Sequence, residues 1–97
     1  MPSEDDLLEA VLALADEHQV LAFHSTDSRR DTGRGFPDLV LVGRHHLMFA
    51  ELKGWGGVRS VHQTTWSYRL RATGARYALW NPPDLTAGRI EKAISEL

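Results

Sequence analysis

Phe36-Pro37-Asp38-Leu39-Val40-Leu41-Val42-Gly43-Arg44-His45-His46-Leu47-Met48-Phe49-Ala50-Glu51-Leu52-Lys53 is the stretch that decides how this chain is read. Two apolar runs flank a short polar break, and acidic charge sits only at the outer ends. Residues 38–42 and 46–53 read as the two strands of a hairpin around Gly43-Arg44-His45. If Arg44 and His45 are a two-residue loop, Gly43 faces His46, and the same register sets Asp38 opposite Glu51. Cross-strand neighbours have Cβ atoms ~4.5–5.5 Å apart. Two carboxylates that close repel each other unless a cation lies between them. Lys53 is two residues past Glu51, so it projects from the same face. Hard oxygen ligands beside one ammonium suit a Mg²⁺ ion with a phosphate or water. The residues between are apolar on both strand faces, which predicts central, buried strands. Charge at the ends of such strands is costly without a partner. The plainer reading is a Pro37-Asp38 turn and a weak Glu51/Lys53 surface pair. Pro-Asp, the hairpin register and Glu-x-Lys together favour a site.

Upstream, Ser3 before Glu4, Asp5 and Asp6 is an N-cap with acids in the first turn. Leu7, Leu8, Val11, Leu12, Leu14 and Ala15 recur at helical spacing, predicting an amphipathic helix over about 4–18. Val20 to Phe23 reads as a strand, and 25–36 as a polar loop. Downstream, 54–59 is a glycine-rich connection. A second helix runs from Ser60 to about Ala72, with Trp66 and Leu70 one turn apart and Gly74 past its end. Arg76 to Trp80 reads as a strand that Asn81-Pro82-Pro83 stops. A last helix covers about 85–96, with Ile90, Ala93, Ile94 and Leu97 on its apolar stripe. The predicted order is α-β-β-β-α-β-α, a three-layer α/β arrangement on a mixed sheet.

The 97 residues suit a single domain. No run approaches the ~20 apolar residues of a membrane span, and the acidic N-terminus has no secretory h-region. Without cysteine, disulfides, thiolate catalysis and cysteine-zinc sites are excluded, and a reducing cytoplasm is the default. The formal charge of −2 hides an asymmetry. Residues 1–23 hold six carboxylates and no Lys or Arg, whereas 24–81 hold nine Lys or Arg against four carboxylates. Such a basic middle is compatible with a phosphate-binding face, or with ordinary uneven scatter of charge.

Gly35-Phe36-Pro37-Asp38-Leu39-Val40-Leu41-Val42, then Phe49-Ala50-Glu51-Leu52-Lys53, then Gln63 and Trp66, resembles the VRR-NUC branch of the PD-(D/E)XK nucleases. The preceding His24-Ser25-Thr26-Asp27-Ser28-Arg29-Arg30 is similar to small, stand-alone bacteriophage-type members. The resemblance runs from Ser3 to about Asp84, and it is the order and spacing of the pieces that are specific. It implies a restriction-endonuclease-like fold over one nuclease domain, residues 1–97, in a bacterial or phage-infected cell. It implies DNA phosphodiester hydrolysis with Mg²⁺ or Mn²⁺, on branched DNA as in Holliday-junction resolvases. Metal binding falls on Asp38 and Glu51, with the main-chain carbonyl of Leu52 as a further ligand. Lys53 matches the lysine that orients the attacking water and offsets transition-state charge, consistent with phosphoryl-transfer electrostatics.

Other residues carry two readings each. Glu4 lies on the stripe Glu4, Leu8, Val11, Ala15 and matches the upstream glutamate of similar sequences, as a further metal ligand. Alternatively it is a first-turn acid favoured by the helix dipole. Gln63 matches the family glutamine that follows Glu-x-Lys; otherwise it is a good helix former. Arg29, Arg30 and Arg34 can contact phosphate through their bidentate forks, with His24 beside them, or form a solvated loop. Trp66 reads as core. Adjacent His45 and His46 point to opposite faces, which argues against a zinc site. Gly54, Gly56 and Gly57 lack phosphate-loop spacing, so no small-molecule cofactor is expected. Against a branched-DNA endonuclease stand three alternatives. They are a duplex-nicking or restriction-like enzyme, a non-catalytic DNA-binding module, and a subunit of a larger complex. A homodimer is expected, because cutting both strands needs two sites and C₂ is the commonest closed symmetry. Trp55, Val58, Trp66, Trp80 and Ile94 exceed what one small core holds, which directs an interface to the second helix and the Trp55 loop.

Overall fold

A computed structural model describes residues 2–25 and 32–97. Helix α1, Glu4–Glu17, begins on a reciprocal cap: Ser3 Oγ accepts from Asp6 N–H at 3.1 Å, and the Asp6 carboxylate accepts from Ser3 N–H at 2.9 Å. It buries Leu7, Val11 and Ala15. Gln19 takes a left-handed φ of 60°, and Val20 N–H closes onto Ala15 carbonyl at 2.8 Å. The chain thereby leaves the helix and enters strand β1, Leu21–His24, one residue later than its apolar run predicts.

Strands β2, Leu39–Val42, and β3, Leu47–Leu52, form the hairpin in the predicted register: Leu39 pairs with Ala50, Val42 with Leu47, and Gly43 N–H donates to His46 carbonyl at 2.9 Å. β1 pairs antiparallel with β2. Helix α2, Val61–Ala72, crosses over to β4, Arg76–Trp80, which runs parallel to β3. A parallel neighbour requires such a crossover. The result is a mixed four-stranded sheet in the order β1-β2-β3-β4.

Leu39, Leu41, Met48, Ala50 and Leu52 project from one face and are buried with the α1 residues and with Ile90, Ile94 and Leu97. The opposite face, carrying Val40, Phe49 and Tyr77, is covered only in part. There α2 packs on β4, Trp66 meets Phe36 edge-on at 5.1 Å, and Phe36 meets Phe49 edge-on at 5.9 Å. Helix α2 fully buries only Ser67. The expectation of strands buried on both faces is therefore corrected. Leu21 is 74 % exposed, Phe23 63 %, Val42 39 % and Leu47 47 %. An apolar sequence on both faces does not itself supply a layer to cover the second one.

The C-terminal region also departs from expectation. Asn81-Pro82-Pro83 does end β4, but it also starts a short helix α3, Pro82–Thr86. Proline suits the first helical turn, where its missing N–H has no partner to lose. The Asp84 carboxylate accepts from Asn81 N–H at 2.9 Å. Gly88, at φ 79°, then breaks the expected single helix, and α4 runs over Arg89–Ser95. Beyond it, the Leu97 carbonyl accepts from both His45 and His46 N–H at 3.0 Å. A Cβ on Gly43 would lie 2.4 Å from Leu97 main-chain carbon, so the hairpin turn and this carbonyl meet at close range.

The surplus of large apolar side chains divides cleanly. Trp80 and Ile94 are buried and Trp66 is half-buried, whereas Trp55 is 53 % and Val58 84 % exposed. Among the described residues no helix is long and apolar enough to cross a membrane.

Candidate functional site

The register of the hairpin carries its first and last charged residues to one end of the sheet. Asp38 precedes Leu39, and Glu51 follows Leu39's partner Ala50. The Asp38 Oδ2 accepts from Leu52 N–H at 2.7 Å, which pins the carboxylate across the strand end. Glu51 is 1 % exposed. Its Oε2 lies 3.8 Å from the Lys53 Nζ and accepts from the Gln63 Nε2. Its Oε1 is buried with no hydrogen-bond partner among the described residues. Loss of hydration first, and the Asp38 charge second, push the Glu51 carboxyl up to about 8, with Lys53 pulling the other way. A buried carboxylate with an unmet oxygen, facing a second carboxylate, offers oxygen donors of the kind that could hold a hard cation.

Gln63 is held by the start of α2. Its Oε1 accepts from Ser60 N–H at 2.8 Å while Ser60 Oγ accepts from Gln63 N–H at 3.1 Å. The cap uses the amide oxygen, so the NH₂ group must be the one facing Glu51. Ser60 was not among the sequence-derived site residues, although Ser-x-x-Gln before a helix is a readable signature.

Two hollows flank these groups. One, about 230 Å³, is lined by Glu4, Asp5, Leu8, His24, Ser25, Asp38 and Leu52. A Cβ on Gly54 would lie 3.1 Å from Glu4 nitrogen, so the start of α1 abuts the strand end. Glu4 sits on the rim, exposed, rather than on the buried stripe of Leu7, Val11 and Ala15. Burial first and the Asp38 charge next raise its pKa, against Lys53. Among the described residues no three His, Cys, Asp or Glu side chains form a group that could hold a metal, so Glu4, Asp38 and Glu51 do not close such a cluster. Leu52 lines this hollow beside Asp38.

The second hollow, about 520 Å³, is lined by Arg34, Gly35, Lys53, Val58, Ser60, His62 and Gln63. Gly35 has φ 87°, and a Cβ there would lie 2.4 Å from His62 main-chain carbon. Only glycine lets this loop press against the first turn of α2. The Trp66 indole N–H donates to Arg34 carbonyl at 2.9 Å, fixing the loop beside Lys53 and making Trp66 structural as expected. Arg29 and Arg30 lie outside the described residues. His45 and His46 are exposed at the opposite end of the hairpin, away from these groups.

Sequence reasoning also missed a cationic support beneath α2. The Arg59 Nη1 donates to the buried Ser67 Oγ at 2.9 Å. Burial raises the Tyr77 phenol pKa while Arg59 opposes it, and Arg71 stacks 5.0 Å from the Tyr77 ring centroid. Nothing in the spacing of Arg59, Ser67 and Tyr77 announces this, because the fold alone assembles it.

The site thus combines paired carboxylates, one ammonium, one oriented carboxamide and an arginine-bordered hollow. No family model, curated protein or solved structure matches the chain, so the functional reading stands on these residues.

Proposed function

We propose that this protein is a divalent-metal-dependent endonuclease that hydrolyses DNA, built as a small VRR-NUC-type domain with a restriction-endonuclease-like core. The observation that carries the reading is Glu51. A carboxylate 1 % exposed, with one oxygen unmet and Asp38 beside it, is uncomfortable without a cation. Asp38, Glu51 and the Leu52 carbonyl would hold Mg²⁺ or Mn²⁺, while Glu4 stays on the rim of the adjoining hollow and adds negative charge near Asp38. When bound, the ion supplies Lewis-acid stabilisation of the charge that builds on the phosphate. Lys53 orients the attacking water and offsets negative charge. Gln63 holds Glu51 in place through the α2 cap. Arg34 offers a phosphate contact at the mouth of the larger hollow. The preferred substrates are branched or otherwise structured DNA, in the cytoplasm of a bacterium or phage-infected cell.

A homodimer belongs to the same proposal. The open sheet face at Leu21, Phe23, Val42 and Leu47 supports it better than α2 or the Trp55 loop. It is contiguous through the β1–β2–β3 pairing, and a two-fold axis would place identical apolar residues against each other. Cleavage of duplex, flap, fork and four-way-junction DNA in Mg²⁺, Mn²⁺ and EDTA tests the activity. Metal-dependent cutting is expected. DNA binding without cleavage in Mn²⁺ would instead favour a non-catalytic module, and equal cutting of all substrates a simple duplex nuclease.

A further inference from the structure

We infer that Trp55 is a stacking platform for an unpaired nucleobase of the strand whose phosphate lies at Lys53. The inference rests on the nuclease reading and names the feature of the substrate that the site selects. Trp80 is buried, and Trp66 is half-buried with its indole N–H bonded to Arg34. Trp55 alone of the three is 53 % exposed, and its indole makes no hydrogen bond or ring contact among the described residues. The ring is part of a patch and not a lone exposed residue, since it borders an apolar recess with Pro82 and Pro83.

The position defines the partner. Trp55 lies two residues beyond Lys53, a span of at most ~7 Å along the chain. Both residues also line one recess, so a base resting on the indole would lie near a phosphate held at Lys53. Trp55 is also the shared wall of two recesses. A recess of about 110 Å³ reaches from Lys53 past Asn81 to Pro83, and one of about 460 Å³ continues over Pro82 and Pro83 to Arg89. The groove is thus continuous with the catalytic lysine. Its walls of indole and proline rings offer flat apolar surface, Asn81 offers a hydrogen-bonding edge, and Arg89, ion-paired with Asp84 at 2.7 Å, borders the far end. Gly56, at φ 72°, has open space where a Cβ would stand, so the turn that follows Trp55 is unobstructed. Every base has a π-face, so stacking of this kind tolerates sequence while demanding that the base be free. A base inside an intact duplex is already stacked on both sides. Flaps, forks and junctions provide unstacked ones.

The test compares wild type with Trp55→Ala, Trp55→Phe and Trp55→Leu, binding a short single-stranded DNA or a blunt duplex in EDTA, followed by tryptophan fluorescence. The single strand should quench wild-type fluorescence. Trp55→Ala should weaken single-strand affinity by roughly 5- to 100-fold and leave duplex affinity unchanged. Trp55→Phe should keep most of the affinity and Trp55→Leu should lose it, a contrast that holds even if the alanine variant folds poorly. In Mn²⁺, Trp55→Ala should cut a flap no better than a blunt duplex. Single-strand affinity unchanged in Trp55→Ala, or leucine serving as well as phenylalanine, overturns the inference and leaves the nuclease reading intact. Wild type that binds neither DNA overturns both.

Discussion

The β2–β3 hairpin inverts the ordinary rule of burial, and it does so in opposite senses at its two ends. At the Asp38 end a carboxylate, Glu51, is 1 % exposed, whereas at the turn end Leu47 is 47 % and Val42 39 % exposed. The strands joining them are ordinary, with Leu41, Met48 and Ala50 dry against α1. The difference lies in what covers each end. Near Glu51 the starts of α1 and α2 converge, enclosing charge. Near the turn α2 has drawn off towards β4, leaving apolar surface open. Both ends are therefore unfinished by the rules of a soluble core, one in charge and the other in hydrophobic contact. We attribute the first to a cation and DNA, and the second to another copy of the chain.

The sharpest way to break this account is at the charged end. Asp38→Ala, Glu51→Gln and Lys53→Ala should each lower Mn²⁺-dependent cleavage by about 10²-fold or more while the protein stays folded. Activity retained in any one of them would remove that residue from the mechanism. Next in size is the response to the ion itself. At a hundredfold excess over Kd, Mn²⁺ should stabilise wild type by about 2.7 kcal/mol, a rise in Tm of roughly 11–20 °C. An equal rise in the Asp38→Ala/Glu51→Ala double variant would move the binding elsewhere. At the apolar end, Leu21→Ser/Phe23→Ser should bring the mass in light scattering down to the 10.9 kDa of one chain without loss of helical signal. Wild type already at that mass would refute the dimer.

A separate handle on the charged end is pH. The Glu51 carboxyl is raised in the fold to about 8, above the ordinary carboxylate value of the unfolded chain. The folded state therefore binds this proton more tightly, so the group stabilises fully below pH 4 and loses that contribution as pH rises towards 8. In EDTA, wild-type Tm should fall across this window and the Glu51→Gln slope should be flatter. Parallel slopes would show that Glu51 does not carry the linkage.

The charged end was the more legible of the two, and the reason is arithmetic. A two-residue loop at Arg44-His45 propagates a single register along the hairpin, and side-chain alternation then brings Lys53 to the face of Glu51. The Ser60–Gln63 cap is written in the sequence as Ser-x-x-Gln but was not read from it, and its consequence for the Gln63 amide needed the neighbouring Glu51. The apolar end was not legible, because strand sequence reports which residues tolerate burial and not whether a helix lies over them. Trp55 and Trp80 show the same limit of composition: Trp80 ends β4 and is buried, whereas Trp55 lies in the glycine-rich connection and is exposed. At the C-terminus the prolines carried two meanings, strand stop and helix start, of which sequence reading used one. Gly88 hid the break because an isolated glycine within a helical pattern is often tolerated.

The grip of His45 and His46 on the Leu97 carbonyl also tells an experimenter where to attach things. A reporter or affinity handle fused after Leu97 emerges beside the hairpin turn, at the far end of the strands from Lys53. One fused ahead of Ser3 emerges where α1 meets Gly54, against the mouth of the hollow beside Asp38. Surface immobilisation through the C-terminal side should leave the site open to long DNA, and attachment through the N-terminal side should crowd it.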